Sequence, residues 1–319
     1  MSDLPRSVEF HEEGPREGFQ IERTLYPLGR RAALIEALAA SGLKQVQVGS
    51  FVSPKAVPTM ADTADLFGAI RKREGVRYTA LWLNEAGFRR AAATPGVDLD
   101  GKLIFYTTDA FCQKNNGCSA AEQRERQATW ARLYLDAGVP LDKAYILTAF
   151  GCNFEGDVPL ERVLDDVRFV VDLAAELKMP LPVIYLADTV GWGNPEAIRR
   201  MIGAVRELVP EARIGTHLHD TRGIGAANVL AALQMGVSLF DSSIAGLGGC
   251  PFAKHANVQG AGNICTEDMA FMCEEMGIET GLDLEALIEA ALLAEDIIGR
   301  PLSGKLMHAG LPKRKPLSV

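Results

Sequence analysis

The chain has no apolar run approaching the roughly 18 to 20 uninterrupted residues of a transmembrane helix, and its first residues, MSDLPRSVEFHEEGPREG, hold no signal-peptide core. A cytoplasmic protein is therefore expected. Its six cysteines, Cys112, Cys118, Cys152, Cys250, Cys265 and Cys273, are scattered without a CxxC pair. That pattern excludes a disulfide frame or a zinc cluster and leaves reduced thiols. A basic excess is also missing, since 33 Lys and Arg stand against 41 Asp and Glu, for a net charge of -8. No nucleic-acid or membrane partner is expected on that balance, and an anionic substrate has to be held by local positive charge. Histidine is scarce as well, five in 319 residues.

Two of those five sit together in His217-Leu218-His219-Asp220, within RIGTHLHDTRGIGAAN. On a strand, side chains two residues apart share a face, so both imidazoles can reach one metal ion. The alternative for an isolated HxH is a pair of hydrogen-bonded histidines at a strand end. Here the pair closes a strand-like VPEARIGTHLH and precedes a glycine-rich turn and a helical ANVLAALQMG, which puts it at the carboxyl end of a strand.

The same alternation recurs along the chain. Strand-like runs lie at 7–14, 44–51, 77–83, 102–108, 143–150, 181–188, 212–219 and 237–244, with helix-period segments at 28–42, 61–75, 119–138, 160–178, 194–210 and 226–236. Several of these helices begin at Ser, Asp or Asn and stop at Gly or near Pro. Eight units over nearly the whole length predict one (β/α)8 TIM barrel, an α/β fold with a parallel inner sheet; an open doubly wound sheet is the alternative. The apolar helix faces at 266–300 fall beyond the eight-unit count, as extra C-terminal helices that cap the barrel or build a dimer contact, and 301–319 form a basic tail. No linker or composition shift divides residues 1–319 into further domains.

In such a barrel the active site forms at the carboxyl ends of the strands. There the sequence offers Arg16 and Glu17, Gln47 with GSFVSP, Asp188, His217 with His219, and Ser242 with Ser243. Carboxylate, imidazole and amide oxygen suit a hard divalent cation, Mg²⁺ or Mn²⁺. Glu17, His217 and His219 are the candidate ligands and Asn263 a fourth, which leaves open positions for the alkoxide and carboxylate of a 3-hydroxy acid. Arg16 is then placed to stabilise an enolate.

GPREGFQIE (14–22), SFVSPKAVPTMAD (50–62), FGCNFEG (150–156), ADTVGWGNP (187–195), HLHDTRGIGAANVLAALQMGV (217–237), DSSIAGLGGCPFA (241–253) and GNICTED (262–268) carry a resemblance that spans almost the entire chain. It resembles the 3-hydroxy-3-methylglutaryl-CoA lyase family of metal-dependent TIM-barrel lyases. The resemblance implies cleavage of a 3-hydroxyacyl-CoA to acetyl-CoA and a keto acid with Mg²⁺ or Mn²⁺. It also implies a catalytic role for Arg16, metal ligation by Glu17, His217, His219 and Asn263, proton movement at Asp188, and a loop cysteine, Cys250, near the substrate. Glu12 and Glu267 match supporting acids, and Ser50 lies in a matching segment at the second strand end.

Three departures stand out. Where the family has an aspartate ligand, Glu17 is one methylene longer; where it has a glutamate, this chain has Gln47; and the 250–263 loop is longer, bringing Lys254, His255 and Asn257 toward the mouth. Lys254 and His255 are expected to meet a different acyl group or the CoA phosphates. The departures leave open a relative that condenses acetyl-CoA with a keto acid or cleaves free hydroxy-keto acids, or one that binds CoA without catalysis. A homodimer or higher homo-oligomer is expected.

Overall fold

The computed structural model describes residues 4–249 and 262–313. Eight strands, β1 (Glu9–Glu12), β2 (Gln45–Ser50), β3 (Arg77–Leu81), β4 (Gly101–Tyr106), β5 (Leu141–Leu147), β6 (Val183–Asp188), β7 (Ile214–Leu218) and β8 (Leu239–Ser242), form one sheet. It runs in the order β3-β2-β1-β8-β7-β6-β5-β4, and every ladder is parallel. The eight strand-like runs of the sequence fall on these strands, curled into the expected TIM barrel.

Around them lie α1 (Gly14–Ile21), α2 (Leu28–Ala40), α3 (Thr63–Ala69), α4 (Glu85–Ala93), α5 (Asp109–Asn116), α6 (Ala120–Asp136), α7 (Leu160–Glu176), α8 (Pro195–Leu208), α9 (Gly225–Gln234), α10 (Thr266–Glu275), α11 (Leu284–Ile298) and α12 (Leu306–Ala309). Local chemistry sets several boundaries. Ser119 and Glu122 close a capping box on α6. Asn194 accepts from the first turn of α8, which opens with Pro195. Asp283 caps α11 at one end and Gly299, at φ 77, ends it at the other.

Two expectations need correction. The 61–75 helix stops at Ala69, because Ile70 turns extended and buries itself while the Arg71 backbone and guanidinium both bind Glu36 of α2. The first strand ends at Glu12, not Gly14, and α1 begins at once. The expected extra C-terminal helices are α10 and α11: α11 packs against α2 and α10, with Leu287, Ala290, Ala291, Ala294, Ile297 and Ile298 buried.

Alternation divides each strand between two environments. Val46 and Val48 of β2, or Ile184 and Leu186 of β6, face the helices and join Ile198, Ile202 and Val205 in the apolar core. The inside of the barrel holds a polar cluster, with His11, Lys143, Tyr145, Tyr185, His217 and Asp241 in mutual contact. One seam departs from closed-barrel pairing, since no ladder joins β3 to β4 among the described residues. Side chains of α6 take its place: Gln127 accepts from the Ile104 N–H at 2.9 Å, Gln123 donates to the Ile104 carbonyl at 2.9 Å, and Tyr134 donates to the Lys102 carbonyl at 3.4 Å.

Candidate active site

Two strand ends set the two halves of the site. His217 of β7 turns into the barrel in register with Asp241 of β8. His219, just past β7, forms an isolated bridge with Asn263, and Ser243 bridges Cys265. The 262–265 segment therefore closes over the ends of β7 and β8 and brings Asn263 to the imidazoles. On the facing side the Gly14 N–H donates to Glu12 at 2.7 Å, and a Cβ on Gly14 would come within 2.5 Å of that carboxylate. Pro15 fits the first turn of α1, where no N–H is needed, and Arg16, Glu17 and Gln20 line the cavity.

Glu17, His217 and His219 each offer one ligand atom, all within 4.8 Å of one another. His217 Nε2 is 3.1 Å from His219 Nε2 and 3.7 Å from Glu17 Oε1. Asn263 Nδ2 donates to Glu17 Oε2 at 2.5 Å, whereas Asn263 Oδ1 is buried without a hydrogen-bond partner. A buried acceptor without a donor is costly, and two facing imidazole nitrogens can share only one proton. A divalent cation relieves both conditions, and a carboxylate, two imidazoles and an amide oxygen form a donor set that fits one. Burial works against charge on Glu17, yet Arg16, His217 and His219 prevail and hold its pKa at about 2. Burial, with His217 beside it, lowers His219 to about 4. Both present lone pairs at neutral pH, the form a metal requires. Gly248, at φ 100, lets its loop pass against Glu17, where a Cβ would meet the Glu17 Cβ at 2.8 Å.

Arg16 is the centre of the negative half. Its Nη2 is 2.8 Å from Glu13 Oε2 and 2.8 Å from Glu17 Oε1, and its Nε donates to Gln47 Oε1. Gln47 turns its other amide atom to Glu13, donating at 3.2 Å. An amide satisfies a cation at one end and a carboxylate at the other, which a glutamate at position 47 could not do. Glu13, absent from the sequence-based candidates, thus supplies negative charge beside Arg16 that residue 47 lacks. Together these groups form one wall of a cavity of about 210 Å³ whose other side carries Leu81, Ile104, Tyr106, Phe111 and Leu147 together with Lys102 and Asn115.

With this geometry in place, a family profile described as HMGL-like matches residues 7–293. The chain belongs to the HMGL-like family. A hydroxymethylglutaryl-CoA lyase, mitochondrial, of Mus musculus is 37% identical over 309 residues, covering 97% of this chain and 91% of that protein. A 3-hydroxy-3-isohexenylglutaryl-CoA/hydroxy-methylglutaryl-CoA lyase of Pseudomonas aeruginosa is 38% identical over 312 residues, covering 98% of this chain and 99% of its own length. Among solved structures, an HMG-CoA lyase from Acinetobacter baumannii in complex with coenzyme A and 3-methylmalate superposes with a TM-score of 0.85 at 34% identity, covering 99% of this chain and 98% of that one. This member of the HMGL-like family is a carbon–carbon lyase.

Other candidate residues of the lyase take different places. Glu12 is fully buried behind the site, accepting from the backbone of Gly14 at 2.7 Å and Ile244 at 2.9 Å and from the Thr266 hydroxyl at 2.6 Å, with burial raising its pKa to about 7. Glu267, also buried, accepts from the Ala245 N–H at 3.0 Å. The two acids hold the 244–246 turn that leads into the glycine loop. Asp188 accepts from Trp192 and Gly193 N–H at 2.7 and 2.9 Å, with burial lifting its pKa to about 6. Ser50 donates to Gln20 at 2.9 Å. Ser242 bonds to Thr266 at 2.8 Å, away from the cavity. Cys250, Lys254, His255 and Asn257 lie outside the described residues. The sequence reading also passed over Asp241, Tyr145 and Lys143; the period-two spacing of Lys143 and Tyr145 on β5 was the available signal, and nothing in the sequence marked Asp241 above Ser242 and Ser243.

Proposed function

We propose that this lyase cleaves 3-hydroxy-3-methylglutaryl-CoA, or a close 3-hydroxyacyl-CoA, to acetyl-CoA and a keto acid, acetoacetate in the first case. The observation that carries the reading is the Glu17–His217–His219 cluster with Arg16 Nη2 2.8 Å from Glu17. Glu17, His217, His219 and Asn263 would hold Mg²⁺ or Mn²⁺, which supplies Lewis acidity for the substrate hydroxyl and carboxylate. As the C2–C3 bond breaks, its electron pair passes to the acetyl-CoA enolate, whose oxygen the Arg16 guanidinium is placed to stabilise. The hydroxyl proton leaves C3–OH and a proton arrives at the enolate carbon. We assign that traffic to Asp188 and to the loop thiol of Cys250. Glu12 and Glu267 serve by holding the turn behind the site. Ser50 serves through Gln20, and Lys254 and His255 are assigned to the CoA side.

A second reading concerns the acyl group. The side chains of Leu81, Ile104, Tyr106, Phe111 and Leu147 in the cavity favour a substituent on C3 larger than methyl. The test is a panel of 3-hydroxy-3-alkylglutaryl-CoA thioesters, methyl through isohexenyl, with Mg²⁺ or Mn²⁺ and acetyl-CoA release as the readout. Release from none of them would overturn the proposal, and net condensation of acetyl-CoA with a keto acid would reverse its direction.

For the compartment we propose the cytoplasm. No helix among the described residues is long and apolar enough to cross a membrane, and fractionation distinguishes the cytoplasm from an organelle. A homodimer or higher homo-oligomer is the proposed state, supported by the exposed Leu292 on α11 and tested by light scattering.

A further inference from the structure

Behind the two histidines, His11, Lys143, Tyr145, Tyr185 and Asp241 are in mutual contact at a depth where this fold usually packs branched aliphatic side chains. Asp241 of β8 is 1% exposed. Its Oδ2 lies 3.1 Å from His217 Nδ1 and accepts the Tyr145 hydroxyl at 2.9 Å; its Oδ1 lies 3.8 Å from Lys143 Nζ. Lys143 Nζ is 2.8 Å from His11 Nδ1, and His11 Nε2 is 2.7 Å from Glu9 Oε1.

The donors and acceptors of this chain of contacts can be assigned from one end to the other. A carboxylate only accepts and an ammonium only donates. His11 therefore gives its Nε2–H to Glu9 and receives Lys143 at Nδ1. Burial and the Lys143 cation also lower the pKa of His11, which keeps it neutral. Lys143 lies beside Asp241, and Asp241 accepts from both Tyr145 and His217. The proton of His217 is thereby placed on Nδ1, and its Nε2 lone pair faces Glu17 at 3.7 Å and His219 at 3.1 Å.

We propose that Asp241, itself fixed by Tyr145 and Lys143, is a positioning residue that locks His217 in the Nδ1–H tautomer and gives the metal site a preformed Nε2 ligand. The inference rests on the metal reading above. An outer carboxylate on a ligating histidine fixes ring orientation and raises ligand basicity, and its loss typically costs about 10- to 100-fold in metal affinity. A carboxylate that merely paired with Lys143 would have no such effect.

The test uses the full-length, substrate-free protein. Mn²⁺ affinity is read by electron paramagnetic resonance of the free ion, with the melting temperature of the metal-free protein as the folding control. The expected result for Asp241→Asn is affinity lower by about 10- to 100-fold, and for Tyr145→Phe a loss of severalfold. Long-range ¹H–¹⁵N spectra of the imidazoles should show wild-type His217 protonated at Nδ1. Asp241→Asn binding Mn²⁺ as tightly as wild type, or a wild-type His217 protonated at Nε2, would overturn the inference. Should Asp241→Asn fail to fold, Tyr145→Phe decides, and unchanged affinity there has the same consequence. Wild-type protein that takes up no Mn²⁺ would overturn the metal reading instead, while the tautomer still reports whether Asp241 controls His217.

Discussion

Arg16 Nη2 lies 2.8 Å from the Glu17 carboxylate, so the guanidinium proposed for the enolate also neutralises a proposed metal ligand. The two roles separate by measurement. Arg16→Gln keeps a donor toward Glu13 and removes the cation. Turnover should fall by about 100-fold or more, the range for losing a group aimed at transition-state charge, while Mn²⁺ affinity changes far less. Turnover equal to wild type would remove Arg16 from the chemistry.

Gln47 is the position where restoring a family-like residue is expected to do harm. In Gln47→Glu the amide that donates to Glu13 at 3.2 Å becomes a second carboxylate facing the first. Glu13 is already pushed upward in pKa by burial and by Asp241, and a like charge pushes it further. The variant should be less stable by about 1–3 kcal/mol, the cost of an unmet buried polar contact, and should lose activity as pH rises. A Gln47→Glu, Glu13→Gln double variant should recover most of the stability. If the single variant is as stable as wild type in urea, Glu13 and residue 47 are not coupled.

The fold was legible because period-two apolar runs alternate with capped helical segments, and that local pattern survives in all eight strands. What the pattern could not show is where a helix lacks its usual signals. α1 contains Gly14, Pro15 and Gly18, so its propensity is low, and it forms because Glu12 takes the Gly14 N–H and Pro15 suits the first turn. The site was half legible for a similar reason. His217 and His219 announce themselves by spacing, and Glu17 and Asn263 by motif, whereas Glu13 and Asp241 owe their importance to partners 34 and 24 residues away, Gln47 and His217. No spacing rule reports such a pairing.

Glu267 gives the stability of the protein a pH dependence of definite sign. Burial first, and then Asp268, raise its pKa from 4.5 to about 8, so the folded state binds this proton more tightly than the unfolded chain. The associated stability is complete below about 4.5, the unfolded value, and is lost as pH rises from there through about 8. Glu267→Gln keeps the acceptor for the Ala245 N–H and replaces the acid with a neutral group. Its melting temperature should therefore vary less than that of wild type between those limits. Identical slopes for the two proteins would show that Glu267 does not titrate in this range.

The β3–β4 seam makes the last prediction, which links the barrel wall to the substrate cavity. Where a closed barrel would pair Ile104 of β4 with the neighbouring strand, its N–H donates instead to Gln127 of α6 at 2.9 Å. Gln127→Leu preserves much of the side-chain bulk and leaves that buried N–H without an acceptor, for a cost of about 1–3 kcal/mol. Because Ile104 and Lys102 also line the cavity, relaxation of β4 should raise KM more than it lowers kcat. Arg126→Ala, at an exposed neighbour on the same helix, is the control for effects on α6 itself and should change neither quantity. A Gln127→Leu protein with wild-type urea midpoint and KM would mean that β4 does not depend on α6 for its missing partner.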